Sequence, residues 1–205
     1  MDLVGFVGFQ NSGKNTAALP LEELGYTPIS FADSLKDCLS AIFQWPREMI
    51  HGITPESRAW REQVDPWWAE RLGIPDFTPR MAMQRVGTEA MRRHFHHDIW
   101  VSSVEKKLDA GGKFVFTDLR YPNEINLIIS RGGKVIRVRK GPEPEWYDFA
   151  LENNDRNPGL MERMFPDVHE TEYAWIGSPM ETIENDSTIE VLHQRVLAAV
   201  FGPSP

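Results

Sequence analysis

The hydrophobic pattern begins with an apolar run that meets a glycine-rich turn. The run "LVGFV" (3–7) predicts a short buried strand, and "KNTAALPLEELG" after it predicts a helix that stops at Gly25. Pro20 is expected to kink this helix or to end its first part. "TPISFAD" then predicts a second short strand, and "DSLKDCLSAIF" a helix with Asp33 or Ser34 as its N-cap.

Three later segments also have the apolar, β-branched or aromatic character of strands. They are "KFVFT" (113–117), "KVIRVR" (134–139) and "METIE" (180–184), and helical patterns separate them. This alternation predicts an α/β fold with a five-stranded, mostly parallel sheet sandwiched by helices. Ligands bind at the carboxyl ends of the strands in such folds, where we expect the glycine-rich turn, Asp33 and Asp118.

Two segments interrupt the alternation of strands and helices. Residues 45–79 hold four of the seven tryptophans and several prolines, which predicts a helical insertion over the acceptor site. Residues 141–168 are rich in proline, asparagine and acids and are expected to form a mobile excursion, the candidate lid. We expect residues 1–205 to form a single domain that carries both segments.

Composition and charge narrow the class of partner. The net charge of −8 disfavours a nucleic acid partner and leaves room for a local basic pocket that binds a small phosphorylated ligand. Cys38 is the single cysteine, the start "MDLVGFVG" lacks the features of a signal peptide, and no apolar run approaches the ~20 residues of a membrane span. We expect a cytoplasmic protein without a membrane partner, and both a monomer and a homodimer stay open.

The turn after the first strand has the spacing of a phosphate-binding loop. "VGFVGFQNSGKNT" (4–16) contains G-x-x-x-x-G-K at Gly8, Gly13 and Lys14, between an apolar strand and a helix. Backbone N–H groups of residues 10–15, Asn11 and Ser12 among them, would turn onto a phosphate, and Lys14 would reach the β- and γ-phosphate oxygens. The structural alternative is a tight turn with an exposed lysine.

Asn15 stands where the usual loop has a serine or threonine that ligates Mg²⁺. Its side-chain carbonyl oxygen could replace the hydroxyl, or Thr16 could take the task. A third alternative is a metal held mostly by water and the phosphates.

Charged residues at the ends of predicted elements are candidates for the chemistry. Asp118 ends "FVFTD" and could order the Mg²⁺ shell or orient the acceptor phosphate, and Arg120 could present a two-pronged guanidinium to that phosphate. Asp33 could face the acceptor's sugar or the metal, and Lys36 is a further candidate. The alternatives are helix capping, an Asp118–Arg120 ion pair and an exposed loop arginine.

Arg80 and Gln84 are four residues apart, so they share one face of a helix, with Thr88 following. A guanidinium and a carboxamide on that face could contact the monophosphate and its base, because glutamine both donates and accepts hydrogen bonds. The alternative is a solvated polar face.

Four segments in order resemble one family. They are "SFADSLKD" (30–37), "RMAMQRVGTEAMRRHFHHDIWVSS" (80–103), "FVFTDLRYPNEINLIISRGGKVIRVRK" (114–140) and "HETEYAWIGSPMETIENDSTIEVL" (169–192). With the glycine loop they resemble the bacteriophage deoxynucleoside monophosphate kinases, a branch of the P-loop kinase fold. The chain departs from the family at Asn15, where the family has aspartate, and at Ser187, where it usually has glycine.

The resemblance implies transfer of the γ-phosphoryl group of ATP, with Mg²⁺, to a deoxynucleoside 5′-monophosphate, and for a phage-encoded protein it places this reaction in the host cytoplasm. It also implies that His169 and Glu172 line the acceptor pocket, that Asn185 lies near ATP before a helix capped by Ser187, and that Arg156 or Arg163 belongs to the lid. Two alternative functions are a kinase acting on hydroxymethylated pyrimidines in DNA and a protein that binds ATP without turnover.

Overall fold

The computed structural model describes residues 2–154, 156–157 and 159–202. The chain divides into two compact units, one running up to Ser30 and again from Leu108 onward, the other spanning Phe31–Lys107. The predicted insertion, residues 45–79, lies inside this second unit. None of the helices in the described part of the chain combines the length and apolarity that a membrane crossing requires.

The elements follow one another in an alternating order. The strands are β1 (Leu3–Val7), β2 (Thr27–Pro28), β3 (Phe114–Phe116), β4 (Lys134–Arg139) and β5 (Glu181–Glu184). The helices are α1 (Lys14–Glu23), α2 (Asp33–Phe43), α3 (Arg47–His51), α4 (Pro55–Trp60), α5 (Pro66–Leu72), α6 (Pro79–Gln84), a π-helix (Arg85–Phe95), α7 (Ile99–Leu108), α8 (Pro122–Ser130), α9 (Tyr147–Asn153), α10 (Leu160–Met164), α11 (Glu170–Tyr173) and α12 (Ile189–Phe201).

The strands of the first unit form one sheet in the order β2-β3-β1-β4-β5, and every pair is parallel. The predicted α/β fold with a five-stranded sheet flanked by helices is therefore confirmed. All five residues of β1 are buried, as a strand covered on both faces must be. The central position of β1 brings the turn that follows it to the middle of the sheet's carboxyl edge.

The two faces of the sheet bury different helices. Val4 and Phe6 point to the face where α1 and α12 supply apolar side chains, among them Leu21 and Val196. Gly5 points to the other face, because side chains alternate along a strand. A Cβ on Gly5 would lie 3.0 Å from the side chain of Leu119, so a glycine lets the segment before α8 pack closely.

Pro20 lies inside α1 and does not end it, since the helix runs on to Glu23. A proline has no N–H to donate to the carbonyl four residues earlier, which here belongs to Thr16. His193 on α12 donates its Nε2–H to that carbonyl at 3.0 Å, so the freed acceptor is satisfied from another helix.

Two expected helix caps are replaced by neighbouring residues. Asp33 is the first residue of α2, and Ala32 occupies the N-cap position. The Asp33 carboxylate lies instead 3.9 Å from Lys36 Nζ and 3.8 Å from His51 Nδ1. At α12 the cap is Thr188, not Ser187, and its hydroxyl accepts the N–H three residues further along.

The second unit is helical, and its prolines start helices. Thr54, Asp65 and Thr78 each precede a proline at the first position of α4, α5 and α6, where a missing N–H costs nothing. Each of the three side chains accepts the backbone N–H of the residue three positions later. This repeated cap defines the start of α4 and α5 within 45–79 and of α6 at Pro79.

The tryptophans of the second unit mostly form its core. Trp45 stacks on Phe43 with ring centroids 4.4 Å apart and donates its Nε1–H to Asp65 at 2.7 Å. Trp68 donates to the Phe43 carbonyl at 3.0 Å. Trp67 differs, because it is 57% exposed. The buried tryptophan rings therefore pack as a small core.

The π-helix is the least expected element of the second unit, because wide turns of this kind are rare and usually short. The Gly87 carbonyl accepts the Nε1–H of Trp100 at 2.9 Å. A Cβ on Gly87 would lie 2.6 Å from Leu35 Cδ2, so this turn packs tightly against α2.

Candidate active site

The glycine-rich turn between β1 and α1 has a backbone that requires its glycines. Gly8 and Gly13 have φ angles of 143° and 100°, and Asn11 is left-handed at 62°. A Cβ on Gly8 would lie 2.4 Å from the Val138 carbonyl oxygen, and one on Gly13 would lie 2.3 Å from Asn185 Nδ2. These close approaches make the turn a specific loop and not a generic connection.

Asn185, predicted to lie near ATP, holds this loop directly. Its Nδ2 donates to the Ser12 carbonyl at 2.9 Å, across the gap between the turn after β5 and the glycine loop. The Ser12 hydroxyl oxygen is buried and has no hydrogen-bond partner among the described residues. A buried hydroxyl of this kind can bond to a phosphate oxygen or a water molecule.

Lys14 is buried at the start of α1 and bends back onto its own loop. Its Nζ donates to the carbonyls of Gly8 and Phe9, each at 2.7 Å. Burial and, second to it, the positive charge of Arg120 lower the pKa of the Lys14 ammonium from 10.5 to about 7, against the opposing effect of Glu172 and Asp118, which raise it. These effects mean that the four charged side chains lie around one another at the carboxyl edge of the sheet.

Asp118 follows β3 and is oriented by a residue that the sequence analysis did not single out. Ser30, just after β2, donates its hydroxyl hydrogen to Asp118 Oδ2 at 2.5 Å. This hydrogen bond fixes the orientation of the carboxylate, as a metal ligand or phosphate-orienting group requires. The position of Ser30 directly after a strand was the available signal.

Arg120 is held by both its backbone and its side chain. The buried carboxylate of Glu124 accepts the N–H of Arg120 at 2.7 Å and that of Tyr121 at 3.2 Å. The guanidinium pairs with Glu172 at 3.3 Å, and Tyr121 donates its hydroxyl to Glu170 at 2.9 Å. The segment after β3 is thus bonded to α11, and Arg120 and Glu172 lie side by side.

The residues near the loop suit Mg²⁺ as one class of ligand. Asp118 offers a hard carboxylate, and Asn15, Thr16 and Ser12 offer neutral oxygens around a loop that is shaped for phosphate. Within the described residues, no group of three or more His, Cys, Asp or Glu side chains is arranged to hold a metal. One carboxylate with neutral oxygens matches Mg²⁺ that keeps several waters and is bound largely through phosphates.

The acceptor candidates on α2, on α6 and in the π-helix all belong to the second unit. Asp33 and Lys36 face each other on α2, whereas Arg80 on α6 pairs with Glu62 at 2.8 Å. Gln84 is the last residue of α6, and Thr88 is buried in the π-helix. Arg80 and Gln84 share α6 as expected, and Arg80 is already engaged by a carboxylate.

His169 and the two lid candidates occupy the segment after β4. His169 is the N-cap of α11, and its Nδ1 accepts the N–H of Thr171 at 3.3 Å. Arg156 and Arg163 are exposed. The assignment of either arginine to a lid stays a prediction.

Comparison with known proteins gives one relative along the whole chain. No protein-family model matches. A protein of Acanthamoeba polyphaga mimivirus, named "Putative deoxynucleotide monophosphate kinase", is 27% identical over 219 residues, which cover 100% of this chain and 98% of the relative.

Two solved structures resemble the chain at lower identity. Dephospho-CoA kinase from Campylobacter jejuni is 12% identical with a TM-score of 0.46, covering 95% of this chain and 93% of that one. A sugar kinase from Janibacter is 14% identical with a TM-score of 0.43, covering 100% and 99%. At TM-scores below 0.5, neither likeness bears on the function.

Proposed function

We propose that this protein is a kinase that transfers the γ-phosphoryl group of ATP to a deoxynucleoside 5′-monophosphate, giving ADP and a deoxynucleoside diphosphate for DNA precursor synthesis. The observation that carries the proposal is the gathering of Lys14, Asp118 and Arg120 around a glycine loop with phosphate-binding geometry. The mimivirus relative supports it, because its name gives this substrate class.

The glycine loop would bind the donor. Its backbone N–H groups and the start of α1 supply partial positive charge for the phosphates of ATP. Lys14 would leave the Gly8 and Phe9 carbonyls and donate to the β- and γ-phosphate oxygens. Asn185 keeps the loop in place through the Ser12 carbonyl, so its contribution to ATP binding is indirect.

Arg120 would bind the acceptor phosphate. A guanidinium matches two phosphate oxygens at once, and the phosphate would replace Glu172 as its partner. We propose that the other acceptor contacts come from a set of polar side chains predicted from the sequence: Asp33, Lys36, Arg80, Gln84, Thr88, His169 and Glu172.

In the transfer step, an oxygen of the acceptor phosphate attacks the γ-phosphorus. The new bond joins that oxygen to phosphorus, the bond between the γ-phosphorus and the β,γ-bridging oxygen breaks, and ADP leaves with the electron pair. Lys14 and Arg120 stabilise the charge on the transferring group and hold donor and acceptor in line. Asp118 with Asn15 or Thr16 would hold Mg²⁺, which neutralises phosphate charge when bound.

The segment after β4 would cover the reacting phosphates. We propose that Arg156 or Arg163 approaches them when this segment closes, which excludes water and suppresses ATP hydrolysis. The exposure of both side chains leaves them available for such a contact.

The direct test is ADP formation from ATP and Mg²⁺ with a panel of ribo- and deoxynucleoside 5′-monophosphates, including 5-substituted pyrimidines, and with single-stranded and duplex DNA. We expect strong turnover with one or two deoxynucleotides and none with DNA. Turnover with DNA alone would indicate a kinase for modified pyrimidines in DNA. ATP binding without turnover on any acceptor would indicate a binding protein.

A further inference from the structure

Arg137 on β4 is a charged side chain buried beside the glycine loop, and the mechanism above does not use it. Arg137 is 7% exposed, and its Nη2 donates to both carboxylate oxygens of Glu143 at 2.6 Å. Its Nη1 donates to the hydroxyl of Tyr147 at 2.7 Å. A buried arginine is costly unless it is paired and hydrogen-bonded, and here Nη1 and Nη2 meet both conditions, whereas the buried Nε has no hydrogen-bond partner among the described residues.

Three aromatic rings from separate segments surround this guanidinium. Its central carbon lies 4.7 Å from the ring centroid of Tyr147, 5.1 Å from that of Trp175 and 5.8 Å from that of Phe9, all within cation–π range. We call Arg137, Glu143, Tyr147, Trp175 and Phe9 the Arg137 cluster. Tyr147 lies in the segment after β4, Trp175 follows α11, and Phe9 belongs to the glycine loop.

Phe9 contributes to the site in two ways, through its ring and through its backbone carbonyl. Its ring packs edge-on against Trp175 at 5.2 Å and against Trp146 at 5.4 Å. Its backbone carbonyl accepts the Nζ of Lys14 at 2.7 Å and the N–H of Ser12 at 3.2 Å. The ring contacts therefore anchor the backbone whose carbonyl closes the loop's turn.

We propose that Phe9 is a positioning residue for the phosphate loop, and that the Arg137 cluster holds it so that the loop is ordered before ATP arrives. The inference rests on the proposed function, because it assigns a role within the same donor site. A loop fixed in its binding conformation has less conformational entropy to lose when ATP binds. The cluster also links the loop to the segment that would close over it.

The matched variants are Phe9→Leu and Arg137→Lys. The first keeps an apolar side chain and loses the ring contacts, and the second keeps the charge and loses the two-pronged hydrogen bonding. Phe165→Leu is the control, because Phe165 is also half-buried and packs edge-on against one ring, that of Phe149 at 5.4 Å, in the segment after β4.

The measurement is calorimetric binding of Mg²⁺ with a non-hydrolysable ATP analogue, beside KM for ATP and for the acceptor. We expect each cluster variant to raise the dissociation constant of the analogue and the KM for ATP about tenfold, with the acceptor KM changed less than about twofold. Because both variants loosen one assembly, the double variant should be no weaker than the worse single one. Phe165→Leu should bind the analogue as the wild type does.

The outcomes separate this inference from the proposed function. Unchanged analogue affinity in both cluster variants, or equal loss in Phe165→Leu, overturns the positioning role and leaves the kinase proposal standing. Loss of thermal stability without an ATP-specific effect means a merely structural cluster and also overturns it. A wild-type protein that binds the analogue but phosphorylates no nucleotide overturns the kinase proposal alone.

Discussion

The ammonium of Lys14 is the residue whose chemistry depends most on its surroundings. Burial and the charge of Arg120 hold its pKa at about 7, well below 10.5. A bound phosphate anion favours the charged form and raises this pKa again. Between pH 7 and the pKa of the complex, binding therefore takes up a proton, and the affinity for ATP falls by up to about tenfold per pH unit. Calorimetry in buffers of different ionisation enthalpy from pH 7 to pH 9 measures both effects.

The control for this pH dependence is Lys14→Arg, because a guanidinium stays protonated over the whole range. We expect the variant to bind more weakly at pH 7 and to show little proton uptake. An identical slope in the wild type and in this variant would assign the titration to another group.

Arg120 is the residue for which the acceptor side makes the sharpest prediction. Arg120→Lys keeps the positive charge and loses the paired hydrogen bonds, so we expect the acceptor KM to rise roughly 10- to 100-fold while the KM for ATP stays within about twofold. Steady-state kinetics with each substrate varied measures the split. The control is Arg131→Lys, at the ion pair of Arg131 and Asp109, which should leave both constants unchanged. If Arg120→Lys raises the KM for ATP more than the acceptor KM, the acceptor role is refuted.

At the scale of elements, the glycine loop depends on close approach as well as on backbone angles. Gly13 and Gly25 both have positive φ. A Cβ on Gly13 would lie 2.3 Å from the Asn185 amide nitrogen, whereas a Cβ on Gly25 would have no neighbouring atom of the described residues within 4 Å. We expect Gly13→Ala to lower the free energy of unfolding by about 1–3 kcal/mol more than Gly25→Ala does. Urea unfolding compares them, and equal losses would show that the Asn185 contact yields at little cost.

The strands show what an apolar pattern can specify. The run 134–139 is predicted as a strand and forms β4 with these bounds, because its buried positions 135–138 are apolar apart from Arg137. The second strand was expected over "TPISFAD" but pairs only at Thr27–Pro28. β2 is an edge strand whose one neighbour is β3. Its pairing ends before Ser30, whose hydroxyl donates to Asp118.

The helical unit shows where local patterns fail. The π-helix has no sequence period of its own, and its wide turns depend on the packing of Gly87 against Leu35 and on the Trp100 hydrogen bond. The N-cap of α2 is Ala32, and the Asp33 carboxylate faces Lys36 on the same helix and His51 at the end of α3. The contact with His51 arises from the fold, so the local sequence pattern did not specify which residue caps the helix.

At the scale of the whole molecule, motif spacing predicted the glycine loop and the carboxyl ends of the strands. The sequence could not predict the residues that hold them, since Ser30, Glu124 and the Arg137 cluster come together only through the fold.

The central claim is phosphoryl transfer to a nucleotide, and label transfer tests it most directly. The protein is incubated with Mg²⁺, γ-³²P-labelled ATP and each deoxynucleoside monophosphate, and the labelled products are separated. The account predicts label in one or two deoxynucleoside diphosphates and its absence from the same reaction with Lys14→Ala. Label only in inorganic phosphate, or equal transfer by Lys14→Ala, would contradict it.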